Sequence, residues 1–153
     1  MARKGFKEQR TSLVLQKMKI NQLYGNVESC CIVRSSLCCI LNITPSETSE
    51  IYKVKITYQL GRKPSAVLLS PELKFHNNKR PHHLYLNDKD GHPTLCVFYP
   101  GFKEWTPKMF LADTFIPWIS TWLNAYEYWQ ITGTWYYPEA PSHSNKALAS
   151  DKV

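Results

Sequence analysis

An α+β domain is the fold class this sequence predicts, and three observations carry it. Ile51 to Tyr58 alternates with period two, Phe115 to Trp129 repeats its apolar residues at helical spacing, and an irregular proline-bearing segment separates the two. The order along the chain is therefore helix, antiparallel strands, irregular loop, helix. With 153 residues and 43% apolar composition the chain has enough large side chains for one well-packed core.

Each element has its own signal. Thr11 is the expected cap of a first helix running through Leu13, Val14, Met18 and Lys19 toward Leu23, with a ragged apolar face. Cys30 to Ile43 is rich in β-branched and small apolar residues and reads as the first strand segment. Thr44-Pro45-Ser46-Glu47-Thr48-Ser49 is a turn by composition. In the next segment Lys53, Lys55 and Thr57 fall on one face and Tyr52, Val54, Ile56 and Tyr58 on the other. Only Ile51 breaks that half-buried strand pattern. Gly61-Arg62-Lys63-Pro64 turns the chain into a third short strand, Ala66-Val67-Leu68-Leu69, ended by Pro71. Strands joined by such short turns form an antiparallel meander.

From Lys74 to Pro107 the chain is broken by Pro81, Asp90-Gly91, Pro93, Pro100-Gly101 and Pro107, and only Leu95 to Tyr99 has strand character. Long loops of this kind inside a compact domain are more often functional than idle. Thr114 is the expected cap of the last helix, Pro117 falls in its first turn, and Gly133 closes it. Its stripe of Phe115, Ile119, Trp122, Leu123, Tyr126 and Trp129 reads as core packing. Residues 1–137 form a single domain in this reading, and 138–153, polar and small, a flexible tail.

Charge and cysteine usage narrow the function classes. Nineteen Lys and Arg against twelve Asp and Glu give +7, and within residues 1–20 six cations face Glu8 alone. That end reads as a solvated basic helix or as a docking surface for an acidic partner. No basic–aromatic motif lies beyond it, so nucleic-acid binding is not expected. The basic start is not followed by an apolar stretch of secretory type, and the Thr114–Tyr126 run is too short to span a bilayer. A cytoplasmic location without membrane attachment is the expectation. Four of the five cysteines sit as the pairs Cys30-Cys31 and Cys38-Cys39, expected to be buried free thiols. Adjacent strand residues point to opposite faces, which disfavours convergence of these thiols on one zinc ion. No metal or other cofactor is expected.

The chemistry-bearing candidates lie in the irregular segment. The chain lacks a Gly-rich phosphate loop, an HExxH and a CxxC pair. Cys96 stands apart from the other cysteines, after His82, His83 and Asp88-Lys89-Asp90-Gly91, and before Trp105-Thr106-Pro107. A cysteine with histidines upstream is a generic thiol-nucleophile pattern, and equally a core cysteine.

At these residues the sequence resembles the ubiquitin-conjugating enzymes. His83-Leu84-Tyr85, Gly91, Leu95-Cys96, Trp105-Thr106-Pro107 and the following helix stand in the order of that family's active-site segment. The first helix, the meander and Pro71-Glu72-Leu73 follow the same order. More narrowly, three stretches are similar to the ubiquitin-conjugating-like proteins of short type II CBASS operons, the bacterial cyclic-oligonucleotide-based antiphage signalling systems. They are Tyr52 to Tyr58, Leu95 to Pro100, and Trp105-Thr106-Pro107 through Asp113–Trp118 to Trp122-Leu123. The resemblance covers roughly residues 9 to 137 and is most specific from Cys96 to Trp118.

The resemblance implies a UBC-like fold and an acyl transferase in which Cys96 is the thioester-forming nucleophile. It implies as partner a cGAS-like cyclic-nucleotide synthase, whose C-terminal carboxyl passes through the cysteine to a target lysine. Two departures bear on the site. Tyr85 stands where the family has its oxyanion-steadying asparagine, and the His83–Cys96 segment is stretched through Asn87–Thr94. Oxyanion stabilisation then falls to backbone N–H groups, Tyr85 or a histidine. His83 is expected to hold the loop or to move protons, and His82 and His92 to be exposed loop residues. Lys89, Lys103 or a histidine is expected to favour the thiolate, and Asp88 or Asp90 either to orient or deprotonate the incoming amine or, as the preferred reading, simply to form the turn. The alternative is a non-catalytic UBC-like scaffold that binds the synthase tail.

Overall fold

A computed structural model describes residues 9–97 and 105–135. Helix α1 (Leu13–Leu23) starts one residue later than Thr11 predicts, because Ser12 is the cap and its side chain accepts the Leu15 N–H at 3.2 Å. Thr11 is engaged elsewhere: its N–H donates to the Pro107 carbonyl and its hydroxyl to that of Lys108. Leu13, Gln16 and Ile20 form the buried face of α1.

Five antiparallel strands follow in sheet order β1-β2-β3-β4-β5. They are β1 (Val27–Val33), β2 (Ser36–Ile43), β3 (Tyr52–Gln59), β4 (Ser65–Ser70) and the short β5 (Thr94–Leu95). The alternation read in Tyr52–Tyr58 is observed, with Tyr52, Val54, Ile56 and Tyr58 buried and Ile51 exposed outside the strand. The stretch taken as one strand segment from Cys30 is in fact the greater part of a hairpin. It turns at Arg34-Ser35, where Arg34 takes the left-handed φ of 57° that glycine or asparagine usually supplies. With neither residue at the turn, composition does not reveal it.

That hairpin also corrects the reading of the cysteines. Its register places Cys30 opposite Cys39 and Cys31 opposite Cys38. Cys30 and Cys39 are joined as a disulfide with their Cα atoms 4.1 Å apart, rather than being free thiols. Cys31 and Cys38 are free, but Cys31 is exposed and Cys38 half-buried, so they are not interior packing.

The buried face of the sheet receives α2 (Phe115–Thr132), whose stripe of Phe115, Ile119, Trp122, Leu123, Tyr126 and Trp129 is buried. Gly133 closes the helix at φ 75°, its N–H on the Trp129 carbonyl at 2.7 Å. Thr114 occupies the cap position without a side-chain capping bond; its hydroxyl donates to Phe110 instead. The segment entering α2 is tied to α1. Gln16, fully buried, donates to the Met109 carbonyl at 2.7 Å and accepts the Leu111 N–H at 2.9 Å. Tyr24 donates to Ala112, and Lys19 pairs with Asp113. Among the described residues, two helices and a five-stranded antiparallel sheet make the expected α+β architecture. The tail beginning at Pro138, the cations Arg3, Lys4 and Lys7, and the Phe98–Pro100 motif lie outside the described residues.

Candidate active site

The segment carrying Cys96 is a second, irregular hairpin hung from the edge of the sheet. Leu95 and Thr94 of β5 pair with Ala66 and Val67 of β4, and Leu84 bridges to Leu95. Successive rungs are Cys96 N–H to the His83 carbonyl at 2.9 Å, Tyr85 N–H to Thr94 at 2.9 Å, and Asp88 N–H to His92 at 2.8 Å. Asn87 to His92 form the tip. There the Asp88 carboxylate accepts the N–H groups of Asp90 at 3.0 Å and His92 at 2.8 Å, and Asn87 donates to Gly91. Glycine is required at position 91, whose φ is 83°.

Cys96 is buried, only 5% exposed, and its backbone is pinned by His83. The Tyr85 hydroxyl is the neighbour that its side chain acts on. Burial, and after it the neighbouring Cys96, push the Tyr85 phenol above its ordinary value, so it stays protonated and keeps a proton to donate. Tyr85 is 45% exposed and forms an open wall beside the thiol.

His83 is buried with a left-handed φ of 55°, a conformation that costs a non-glycine residue on the order of 1–2 kcal/mol. Its carbonyl accepts both the Cys96 N–H and the Trp122 Nε1–H, the latter at 3.1 Å. Its ring lies against Trp135 with centroids 5.4 Å apart, and the His82 ring stacks on the same indole at 5.6 Å. Trp135 in turn meets Trp122 edge-on at 5.3 Å. His82 and His92 are therefore half-buried, not exposed. Trp122 and Trp135 support the loop in a way sequence reasoning missed: Trp122 reads as one more core position of the stripe. The available hint was chemical, since a buried indole N–H seeks an acceptor.

Cys96, His83 and Tyr85 are thus brought together. The hairpin separates Asp90 from them by the Tyr85–Thr94 and Asp88–His92 rungs and leaves it exposed at the tip beside Lys89. The Asp88 carboxyl is held below its ordinary value, first by the His92 N–H. His92 Nδ1 approaches it at 3.7 Å. Asp88, Asp90 and His92 bring one potential ligand atom each within 4.8 Å of one another, a closeness the turn's own hydrogen bonds account for. Lys103 lies outside the described residues. Trp105, buried, packs edge-on against Tyr58 at 5.0 Å, and Pro107 receives Thr11, so the Trp-Thr-Pro motif anchors the return of the chain to the core. Among the described residues no helix is long and apolar enough to cross a membrane.

A family model described as type II CBASS E2 protein matches residues 16–144. The match spans most of the chain, which therefore belongs to that family and has a role in CBASS antiphage signalling. No curated protein matches it.

Proposed function

We propose that this member of the type II CBASS E2 family is a ubiquitin-conjugating-like acyl transferase in which Cys96 carries the acyl group as a thioester. The observation that carries the reading is the buried Cys96, its backbone N–H held by the His83 carbonyl at 2.9 Å, with the Tyr85 phenol as its neighbour. A hydroxyl donating to sulfur favours the thiolate, the form that attacks an acyl carbon. The acyl group arrives already activated. The thiolate adds to its carbonyl carbon, the activating group leaves with its electron pair, and a thioester remains. The same hydroxyl is then positioned to turn toward the carbonyl oxygen, doing the work of the asparagine that Tyr85 replaces. Burial of the thiol limits hydrolysis of that thioester.

In the second step a lysine amine, having lost its proton, attacks the thioester carbon and expels the Cys96 thiolate, leaving an amide. The hairpin geometry supports a positioning role for His83, through its carbonyl, over proton transfer by its ring. For Asp90 it supports electrostatic attraction of the incoming cationic side chain over proton abstraction beside Cys96. The donor of the acyl group in this reading is the C-terminal carboxyl of a cGAS-like cyclic-nucleotide synthase, and the product primes that synthase.

The test is co-expression of the chain with the neighbouring proteins of its operon. A thiol-labile adduct on a non-reducing gel is expected for the wild type. Cys96→Ala should lower conjugation by more than about a thousandfold, with a change in stability within about 1 kcal/mol. Conjugation that survives Cys96→Ala overturns the enzyme and leaves the scaffold reading, in which the synthase tail binds without chemistry.

A further inference from the structure

The β1–β2 hairpin carries two cysteine pairs on consecutive rungs, and they face opposite sides of the sheet. Cys30 and Cys39 occupy the core side, where Cys39 is fully buried and the two are bonded. Cys31 and Cys38 occupy the outer side, register partners of each other and both free. Opposed residues of an antiparallel ladder alternate between narrow and wide Cα separations, about 4.5 and 5.5 Å. The bonded pair, at 4.1 Å, is a narrow rung. Its neighbour is therefore a wide one, near 5.5 Å, within the Cα range of disulfides, and closing it draws the two Cβ atoms together by about 1 Å.

We propose that Cys31 and Cys38 form a reversible dithiol site on the outer face of the sheet, oxidised and reduced by low-molecular-weight thiols and disulfides. Cys31 is the exposed partner and receives the first attack, and Cys38 resolves it. The Cys31 thiolate attacks one sulfur of a small disulfide. That S–S bond breaks, one small thiolate leaves and takes up a proton, and a mixed disulfide forms at Cys31. The Cys38 thiolate then attacks the Cys31 sulfur, the second small thiol leaves, and Cys31–Cys38 is closed. The protein dithiol gives up two electrons, and the small disulfide is reduced to two thiols. No step involves Cys96, so the site is independent of the transfer reaction proposed above. Closure adds a second covalent tie to the hairpin at the β1 end of the sheet, beside the one on its other face.

The chain is conveniently marked for the test, because trypsin cleaves after Arg34, between the two halves of the hairpin. The full-length protein is equilibrated with reduced and oxidised glutathione at a series of ratios, quenched in acid, alkylated, digested and weighed. A species with the outer site reduced appears as linked halves bearing two alkyl groups; with the site oxidised, as linked halves bearing none. The proposal expects these to interconvert reversibly as the ratio changes. It expects Cys38→Ser to accumulate a glutathione adduct at Cys31, and Cys31→Ser to keep Cys38 alkylated throughout. Two alkyl groups at every ratio would overturn it. So would a wild-type glutathione adduct at Cys31 that Cys38 never resolves, or a linkage of Cys31 to Cys39.

Discussion

Two hairpins among the described residues bear cysteines, and they are built on different physics. The β1–β2 hairpin has a nearly unbroken ladder and joins its strands covalently through Cys30 and Cys39. The hairpin from His83 to Cys96 has a two-residue strand, and side chains do what a ladder does elsewhere. Asp88 ties its tip, and Trp122 and Trp135 brace its base. In the first, a thiol's neighbours are strand residues and another thiol. In the second, the thiol meets a phenol on a backbone held in a left-handed turn. The contrast teaches that the setting of Cys96 is specified by side chains and a loop, and that of the staple by strand register.

The comparison breaks most visibly if the staple proves to matter for transfer. Replacing Cys30 and Cys39 together by alanine removes a link closing a short loop, and the expected loss in urea denaturation is about 2.5 kcal/mol. Conjugation measured below the unfolding transition should be unchanged. Tyr85→Phe is the converse case. It keeps the ring and deletes only the hydroxyl neighbouring Cys96, so stability should move by less than about 0.5 kcal/mol. Single-turnover thioester formation should fall by about tenfold to a hundredfold, the worth of a hydrogen bond to a charged group. A slow staple variant beside a fast Tyr85→Phe would reverse the assignment of the two hairpins.

What was legible in the sequence divides along the same line. The alternation of Tyr52–Tyr58 and the stripe from Phe115 to Trp129 are periodic, and periodicity survives without knowledge of partners. Arg34-Ser35 carries no turn chemistry, so the hairpin it makes went unread, and with it the register that sets Cys30 against Cys39. The fault was one of pairing, since the two cysteine pairs are symmetric about that turn. Of the candidate site, Cys96, His83 and Tyr85 were legible by resemblance. Their contacts were not, because backbone carbonyl bonds such as Cys96 to His83 leave no mark on residue identity. Gln16 was invisible for another reason: a buried glutamine serving two backbone groups of a distant segment looks like any polar helix residue.

A finer version of the comparison lies within the first hairpin. Cys39 is fully buried and Cys31 exposed, although each sits one residue from a cysteine on the other face. Burial in the interior, the sequence-based expectation for all four, predicts a cost of about 1–3 kcal/mol for a serine at any of them. The observed faces predict unequal costs. Cys31→Ser and Cys38→Ser, measured under reducing conditions, should each change stability by less than about 0.5 kcal/mol. Cys39→Ser should cost more than either under the same conditions, because its hydroxyl would be buried on the core face.

The smallest expected effect tests whether the Asp88 carboxylate, and not the ladder, holds the tip of the second hairpin. That carboxyl is held below its ordinary value chiefly by the His92 N–H, then by the Asp90 N–H, His92 and Lys55, against a desolvation that opposes them. A depressed folded-state value means the ionised group favours the folded tip. That contribution is present in full above the unfolded value, about 3.9, and is lost as pH falls through the lower folded value. The amide resonances of Asp90 and His92, followed by ¹H–¹⁵N correlation spectra, should therefore show no step attributable to Asp88 between pH 7 and about 5. Further into acid they should shift together. The β1–β2 turn at Arg34-Ser35, which has no such carboxylate clasp among the described contacts, should not follow them. Asp88→Asn keeps an oxygen acceptor but cannot ionise, so it should abolish the acid step while leaving the tip formed. An identical acid step in Asp88→Asn would assign the transition to another group and leave the tip to its backbone rungs.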